Sequence, residues 1–184
     1  MRIVAGRFRG HRLAAVGKGD AGAHLRPTTD RVRESLFNVL SNTGAIEGAR
    51  VLDLFAGTGA LGLEALSRGA VQVSFVESGR VAQRLIAQNV EITRSQGETR
   101  LIRRDATKLG ACDGEPCDLV FLDPPYGKGM GQKALAAALA GGWLAPGALV
   151  VWEENAPMEP PEGFSLLDRR RYGETHVTLL ELDG

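Results

Sequence analysis

The chain has 184 residues, of which 43% are hydrophobic and 24% are charged, and its 22 basic side chains balance 22 acidic ones. Such a composition predicts a compact domain with a substantial core and excludes an intrinsically disordered chain. The formal net charge of zero also excludes a protein coated evenly in basic surface.

The N-terminal part of the chain is basic, in contrast to the neutral whole. Residues 1–33 carry eight basic side chains against two acidic ones. Because attraction of phosphate depends on the local charge, this excess favours contact with a polyanion. A solvated basic arm without a partner explains the same pattern equally well.

Three predicted segments, a hairpin, a loop and a helix, precede the regular part of the chain. Weak alternation and the glycines at 6 and 10 predict a small hairpin over residues 2–16, and a glycine-rich loop covers residues 17–27. Thr28, Thr29 and Asp30 then form a helix start, and apolar residues on one face predict a helix that ends near residue 43.

From residue 51, short apolar strands alternate with helices. The predicted strands cover residues 51–55, 71–76, 99–103, 119–122 and 148–152, the predicted helices cover residues 60–67, 81–90 and 132–140, and residues 166–172 and 176–182 form a predicted antiparallel hairpin. Repeated strand-helix units indicate an α/β, Rossmann-like fold with a mostly parallel seven-stranded sheet and helices on both faces. We expect residues 1–44 to be an N-terminal extension and residues 45–184 to be the main domain.

Glycine and acidic residues follow the ends of the first four predicted strands. Since the carboxyl ends of parallel strands meet at one edge of a sheet, we expect these residues to lie together. Gly57 and Gly59 let the backbone pass close beneath a ligand. Glu77, twenty residues after Gly57, has the spacing of a carboxylate that meets both hydroxyls of a ribose. Asp105 has the position to accept from an adenine amino group.

Residues 57–62 read G-x-G-x-x-G, a pattern that is also typical of NAD-dependent oxidoreductases. Asp53 precedes this pattern by four residues. Its charge would oppose a pyrophosphate but favours a ligand with an ammonium group. S-adenosylmethionine combines an ammonium group with ribose and adenine. The spacing therefore favours a methyltransferase, with an oxidoreductase as the alternative.

The tetrapeptide Asp123-Pro124-Pro125-Tyr126 directly follows the fourth predicted strand. Its prolines fix φ at about −65° and remove two backbone donors, so the segment holds a rigid extended shape. A carboxylate, a proline carbonyl and an aromatic face then converge, which suits a flat ring that carries an amine. In isolation the tetrapeptide is more typical of a rigid turn, but its place beside the other strand-end residues reverses that preference.

Two pairs of segments carry a family resemblance. Residues 51–62 and the tetrapeptide resemble motifs I and IV of class I S-adenosylmethionine-dependent methyltransferases that act on exocyclic amines. Residues 5–13 and 25–38 are similar to the N-terminal signatures of the RsmD family, whose members methylate guanine N2 in 16S ribosomal RNA of the small subunit. His11 departs from the pattern, since a basic residue is expected there.

The resemblance implies a reaction, a cofactor and a partner. The cofactor is S-adenosylmethionine, which leaves as S-adenosylhomocysteine, and the partner is ribosomal RNA, within a small-subunit particle or an assembly intermediate. The implied catalytic residues are Asp123, Pro124, Pro125 and Tyr126. The implied cofactor-binding residues are Asp53, Phe55, Ala56, Gly57, Thr58, Gly59, Glu77, Ser78, Asp105, Ala106 and Asp123. The implied RNA-binding residues are Arg7, Arg9, Arg12, Arg26, Arg31 and Arg33.

Other hypotheses stay open. The tetrapeptide also serves adenine and cytosine methylation, so the substrate could be an amine of DNA or of another RNA. A nucleic-acid-binding module that has lost catalysis is disfavoured because the strand-end carboxylates and the tetrapeptide are intact. For Arg31 and Arg33, ion pairs with Glu34 or other helix-surface carboxylates compete with RNA contact.

The remaining expectations concern metals and location. Cys112 and Cys117 lie in a connection with no histidine nearby, so we expect no metal site. No apolar run approaches the roughly 18 residues that a membrane helix requires, and residues 1–7 do not resemble an export signal. We therefore expect a cytoplasmic protein without membrane contact, and a monomer.

Overall fold

A computed structural model of the chain describes residues 1–16 and 28–184. Arg26 and the predicted glycine-rich loop lie outside the described residues. The helices are α1 (Asp30–Asn42), α2 (Ala60–Ser67), α3 (Arg80–Thr93) and α4 (Met130–Ala140). The strands are β1 (Arg50–Leu54), β2 (Gln72–Val76), β3 (Thr99–Ile102), β4 (Cys117–Leu122), β5 (Leu144–Glu154), β6 (Phe164–Tyr172) and β7 (Thr175–Leu182). Among the described residues, no helix is long and apolar enough to cross a membrane.

The seven strands form one sheet in the order β3-β2-β1-β4-β5-β7-β6. The pairs from β3 through β5 are parallel, whereas β7 runs antiparallel to both β5 and β6. This arrangement confirms the predicted mostly parallel sheet with an antiparallel C-terminal hairpin. The chain moves outward from β1 to β3 and then crosses to β4 on the other side of β1. A crevice forms at the carboxyl ends of the strands where such a reversal occurs.

The strand register places the carboxyl ends of β1, β2 and β4 side by side. Leu54 of β1 pairs with Val76 of β2 on one side and with Leu122 of β4 on the other. The residues that follow these three strand ends therefore leave the sheet side by side. This register places the glycine loop, Glu77 and Asp123 along one edge.

The apolar core has one cluster on each face of the sheet. One cluster packs α2 and the alternate sheet residues Val51, Val73 and Phe121 against residues of the N-terminal part such as Ile3 and Phe37. The other packs α4 against residues of the opposite parity, such as Leu52 and Val120. Residues of the N-terminal part and of α1 thus share the first cluster with α2 and the sheet, and the boundary near residue 44 stays a prediction.

Residues 1–16, called here the N-terminal segment, form an irregular hairpin. One antiparallel bridge joins Arg2 and Arg12. The Ile3 N–H donates to the His11 carbonyl at 3.0 Å, and the Leu13 N–H donates to the Met1 carbonyl at 2.9 Å. The predicted hairpin is therefore present, but regular strands do not form in it.

The N-terminal segment is irregular because its tip bonds to α2. The backbone N–H groups of Arg7 and Phe8 donate to the carbonyl and the hydroxyl of Ser67, both at 2.9 Å. Gly6 has φ +86°, and a Cβ at this position would lie 1.9 Å from the Ser67 carbonyl oxygen. Only glycine permits this close approach.

Glu64 anchors the N-terminal segment and α1 to α2. Its carboxylate is fully buried and accepts from the backbone N–H groups of Val4 and Ala5 at 2.9 and 3.1 Å. It also pairs with the Nε atoms of Arg33 and Arg68 at 3.2 and 2.9 Å. The two guanidinium groups and the two amides satisfy a charge that would otherwise be costly to bury.

Strand β5 is longer than predicted. Pro146 and Gly147 are typical of a turn, and the prediction therefore began at residue 148. In the structure they lie in an irregularity of the β4–β5 ladder, where the register shifts between Cys117 and Leu119. Proline is tolerated at such a bulge because its missing N–H leaves no ladder bond unmade.

Candidate active site

A cavity of about 760 Å³ lies at the carboxyl edge of the central strands. Its volume is in the range of small-molecule and cofactor sites. Its lining residues come from the N-terminal segment, the approach to α1, the loops after β1, β2, β3 and β4, and the starts of α2 and α4. They are Met1, Thr28, Phe55, Ala56, Gly57, Thr58, Ala60, Leu61, Glu77, Ser78, Asp105, Asp123, Pro125, Tyr126, Lys128 and Met130.

The glycine loop between β1 and α2 forms one wall of the cavity. Phe55 turns the chain out of the sheet with φ +57°, which is unusual for a bulky side chain. Gly57 and Gly59 also have positive φ, of 60° and 81°. Gly57 lines the cavity, whereas Gly59 does not, and the passage of this backbone beneath a ligand stays a prediction.

The third glycine of the pattern has a packing role. A Cβ at Gly62 would lie 2.6 Å from the ring of Phe75 and 2.7 Å from the side chain of Val73. Gly62 therefore allows α2 to lie close to β2. This close packing brings the N-terminus of α2 to the edge of the cavity.

Asp53 lies beneath the glycine loop and does not line the cavity. Its side chain is buried, and the Gly62 N–H donates to its Oδ2 at 3.0 Å. Burial raises the pKa of Asp53 well above its usual value, and the nearby carboxylates of Asp123 and Glu77 raise it further. Asp53 therefore supports the glycine loop in this structure, and its predicted part in cofactor binding stays a prediction.

Glu77 is held between two backbone amides. The Gly57 N–H donates to its Oε1 at 2.9 Å, and the Gly79 N–H donates to its Oε2 at 2.8 Å. The carboxylate thereby joins the loop after β1 to the loop after β2. Each oxygen retains a lone pair for a further donor, and Glu77 lines the cavity.

Asp105 caps a short 3₁₀ turn at residues 106–108. Its Oδ1 accepts from the Thr107 N–H at 2.9 Å and from the Thr107 hydroxyl at 2.7 Å. These two hydrogen bonds lower the pKa of Asp105. Asp105 is therefore ionised at neutral pH and is an acceptor on the cavity wall.

The tetrapeptide after β4 faces the glycine loop across the cavity. Asp123, Pro125 and Tyr126 line the cavity, while Pro124 is buried behind them. The Gly127 N–H donates to Glu154 Oε1 at 3.1 Å, which ties the end of the tetrapeptide to β5. The loop is thus fixed on both sides.

Four of the predicted catalytic and cofactor-binding residues lie outside the cavity lining, and six lining residues were not predicted. The former are Asp53, Gly59, Ala106 and Pro124. The latter are Met1, Thr28, Ala60, Leu61, Lys128 and Met130. Ala60 and Leu61 belong to the G-x-G-x-x-G pattern, and Lys128 follows Tyr126 closely, so these three had a sequence signal. Met1 and Thr28 had none, because they reach the cavity only through tertiary folding.

Asn89 of α3 joins the N-terminal segment to the glycine loop. Its amide accepts from the Ala14 N–H at 2.6 Å and donates to the Ala14 carbonyl at 3.1 Å. The same amide nitrogen donates to the Thr58 carbonyl at 2.8 Å. The Thr58 hydroxyl in turn contacts the sulfur of Met1 at 3.8 Å. The N-terminal segment therefore helps to shape the glycine loop.

We expect Asn89→Ala to destabilise the protein by about 1–3 kcal/mol, because the partly buried Ala14 and the buried Thr58 backbone groups lose their partner. We also expect weaker binding of S-adenosylhomocysteine, since the glycine loop is released on one side. Urea denaturation and calorimetric titration measure the two effects. Exposed Asn42→Ala on α1 is the control, and equal behaviour of the two variants would contradict the role of Asn89.

We expect Glu77→Ala to weaken binding of S-adenosylhomocysteine by about 10- to 100-fold, the range for loss of a hydrogen bond to a charged group. Calorimetric titration measures the dissociation constant. The matched control is Glu91→Ala, an exposed glutamate on α3. An affinity like that of the control would rule out a ligand contact for Glu77.

The predicted RNA-binding arginines fall into two groups. Arg7, Arg9, Arg12 and Arg31 are exposed. Arg7 pairs with Glu98 and lies over the ring of Phe8. The other three form no ion pair with any carboxylate of residues 1–16 and 28–184, so their guanidinium groups are available to phosphate.

Arg33 corrects the prediction. Its side chain is fully buried and pairs with Glu64, and its Nη2 lies 2.8 Å from Asp30 Oδ1. Burial acts to raise the pKa of Asp30, but hydrogen bonds from the Arg33 side chain and the Arg2 backbone lower it overall. A fully buried guanidinium cannot reach an RNA phosphate, so the role of Arg33 is to hold α1 in place. The alternative prediction of an ion pair is correct for Arg33, although its partners are Asp30 and Glu64 rather than Glu34.

The described residues contain no group of three or more histidine, cysteine or acidic side chains that could hold a metal ion.

Comparisons with known proteins agree with this architecture. A family model described as "Conserved hypothetical protein 95" matches residues 1–181. Ribosomal RNA small subunit methyltransferase D of Escherichia coli is 37% identical over 187 residues, which cover 100% of this chain and 91% of that protein. The protein of the same name from Haemophilus influenzae is 34% identical over 178 residues, which cover 94% and 89%.

The chain is also similar to solved structures. The structure of yhhF from Escherichia coli has a TM-score of 0.84 and 37% identity, and the match covers 100% of this chain and 98% of that chain. TrmN from Thermus thermophilus has a TM-score of 0.66 and 27% identity, over 88% of this chain and 52% of that chain. The fold is that of Rossmann-like class I methyltransferases, and the chain belongs to the RsmD family.

Proposed function

We propose that this chain transfers a methyl group from S-adenosylmethionine to the exocyclic N2 amine of a guanine in small-subunit ribosomal RNA. One observation carries the proposal. The glycine loop, the carboxylates of Glu77 and Asp105, and the Asp-Pro-Pro-Tyr tetrapeptide line the same cavity. The names of the relatives from Escherichia coli and Haemophilus influenzae support ribosomal RNA as the substrate. The choice of guanine rests on the resemblance of the N-terminal signatures to the RsmD family.

The donors and acceptors at the ends of β1, β2 and β3 fit S-adenosylmethionine. Glu77 has lone pairs for the ribose hydroxyls, and ionised Asp105 has them for the adenine amino group. The glycine loop presents backbone rather than side chains to the ligand. When bound, the cofactor supplies an electrophilic methyl group on a positively charged sulfur.

Asp123 and Pro124 are proposed to orient the acceptor amine. The lone pair of a guanine amine is delocalised into the ring, which makes the nitrogen a poor nucleophile. The Asp123 carboxylate and the Pro124 carbonyl can accept its two N–H groups and so direct the lone pair towards the methyl group. Tyr126 would stack on the extruded base. Positioning of this kind can supply about 7–11 kcal/mol of the barrier reduction.

No strong base is needed before attack. The amine nitrogen becomes acidic as it forms its bond to the methyl carbon, so its proton can leave afterwards. Asp123 is the nearest proposed acceptor for that proton. Its main task is nevertheless to orient the amine, because the proton leaves only after the bond has formed.

The exposed arginines of the N-terminal part are the proposed contacts for RNA phosphates. Arg9, Arg12 and Arg31 are exposed and form no ion pair with a described carboxylate, and Arg7 is half exposed beside Glu98. They belong to elements that pack against α2 and the glycine loop. RNA held there lies near the cavity mouth through which a flipped base must enter.

Methyl transfer to different nucleic acids tests the proposal. The protein is incubated with radiolabelled S-adenosylmethionine and, in parallel, with small-subunit particles lacking the modification, free small-subunit ribosomal RNA, transfer RNA and double-stranded DNA. We expect incorporation into the particles or the free ribosomal RNA. Incorporation only into DNA or only into transfer RNA would overturn the proposed substrate and favour the other amine methyltransferases.

A further inference from the structure

The cavity lining carries more negative than positive side chains. Glu77, Asp105 and Asp123 contribute three carboxylates, whereas Lys128 is the one cationic side chain among the described lining residues. A cavity with this balance repels phosphate over most of its wall. An RNA substrate therefore needs a positive group where its backbone comes closest to the cavity.

Lys128 lies where the cavity meets solvent. Its side chain is exposed and also lines the cavity, two residues after Tyr126 and two before α4 begins. It forms no ion pair with a carboxylate in the described part of the chain. Gly127 and Gly129 on either side have φ of +70° and +68°. These positive angles turn the chain sharply on both sides of Lys128, so that Lys128 lies at the tip of a short loop.

The base of this projection is fixed. The Gly127 N–H donates to Glu154 Oε1 at 3.1 Å, and α4 begins directly after Gly129. The ammonium group of Lys128 is thus carried on a short anchored loop beside the proposed stacking residue Tyr126. A flexible four-carbon stem allows this group to reach a ligand without movement of the loop.

Base extrusion determines which part of a nucleotide meets Lys128. When a base enters the cavity, its ribose and phosphates stay outside, at the mouth. The cofactor half of the cavity is formed by the loops after β1, β2 and β3, while Lys128 lies on the loop after β4. Its neighbour is therefore the acceptor nucleotide, and lysine binds phosphate as a point charge.

We propose that Lys128 binds a phosphate next to the guanosine whose base enters the cavity, and that it thereby selects a nucleotide within an RNA strand over a free base or nucleoside. This proposal rests on the proposed function and names a contact in the acceptor half of the same site.

The test compares Lys128→Ala and Lys128→Arg with the control Lys133→Ala. Lys133 is an exposed lysine on α4 that does not line the cavity. For each variant we measure KM and kcat with the ribosomal RNA substrate, the dissociation constant of that RNA at several salt concentrations, and the dissociation constant of S-adenosylhomocysteine.

We expect Lys128→Ala to raise KM for RNA by about 3- to 10-fold and to reduce the slope of log affinity against log salt by about 1, the effect of losing one phosphate contact. The kcat should change by less than about 2-fold, and the affinity for S-adenosylhomocysteine should match that of the control. Lys128→Arg should keep the salt slope of the unmodified protein.

Two results would overturn the proposal. If Lys128→Ala and Lys133→Ala have the same KM and salt slope, Lys128 makes no phosphate contact, while the proposed function stands. If Lys128→Ala instead weakens S-adenosylhomocysteine binding and leaves the RNA salt slope unchanged, the ammonium group serves the cofactor carboxylate. Failure of the unmodified protein to methylate any RNA would overturn the proposed function and this inference together.

Discussion

Replacement of Asp123 by alanine is expected to lower the rate of methyl transfer by about 100- to 1,000-fold, the usual loss when a positioned polar group is removed from an active site. The amine would lose its main acceptor, so its lone pair would stay delocalised in the ring. Binding of S-adenosylhomocysteine should persist, because Glu77 and Asp105 are unchanged. Single-turnover kinetics with saturating cofactor and RNA measure the chemical step directly.

Asp118→Ala is the matched control for Asp123. Asp118 lies on the same strand, β4, at the opposite end, and its Oδ2 accepts from the Arg50 N–H at 2.9 Å. We expect this variant to keep its single-turnover rate within about 2-fold. An unchanged rate in Asp123→Ala would refute the orienting role of Asp123.

Glu64→Ala is expected to reduce the free energy of unfolding by about 3–5 kcal/mol, because it removes the buried carboxylate partner of the buried Arg33 charge and leaves only the partly exposed Asp30. The backbone amides of Val4 and Ala5 also lose their acceptor. Release of the N-terminal segment should follow, and hydrogen exchange at residues 1–16 should become faster. Urea denaturation measures the stability change.

Two further variants sharpen this test. Glu34→Ala removes an exposed glutamate from α1 and should change stability by less than about 0.5 kcal/mol. Glu64→Ala combined with Arg33→Ala should cost less than the sum of the single variants, because the two side chains share one interaction. Additive losses would show that the Arg33–Glu64 pair contributes little coupling.

The central sheet was predictable because the residues that favour strands locally are also the ones that the folded protein buries. The strands β1, β2 and β4 read as mostly apolar runs, and glycine or acidic residues come shortly after the ends of β1, β2, β3 and β4. The predicted strand 119–122 and helix 60–67 match the structure closely because β4 and α2 are buried along nearly their whole length. Burial of this kind leaves a continuous apolar run in the sequence.

The grouping of the strand-end carboxylates was predictable for a similar reason. Parallel topology fixes which strand ends are neighbours, so Glu77, Asp105 and Asp123 could be grouped before their distances were known. Asp53 was the exception. Whether a strand-end carboxylate points into the cavity or behind the glycine loop depends on the strand register and on the position of α2, and neither is encoded locally.

Residues that act across the fold could not be predicted. Asn89 lies in the middle of an amphipathic helix, and nothing near it in sequence indicates that it binds Ala14 and Thr58. Arg33 was predicted to bind RNA as one of the basic residues of the N-terminal part, but Glu64 supplies a buried partner from another helix. Long-range pairs of this kind become visible only once the chain is folded.

Identification of the methylated nucleoside tests the central claim most directly. Small-subunit ribosomal RNA that the protein has methylated in vitro is digested to nucleosides and analysed by mass spectrometry against synthetic standards. We predict N2-methylguanosine in the reaction with the unmodified protein and its near absence with Asp123→Ala. N6-methyladenosine, N4-methylcytidine or a ribose-methylated product in place of N2-methylguanosine would contradict the account.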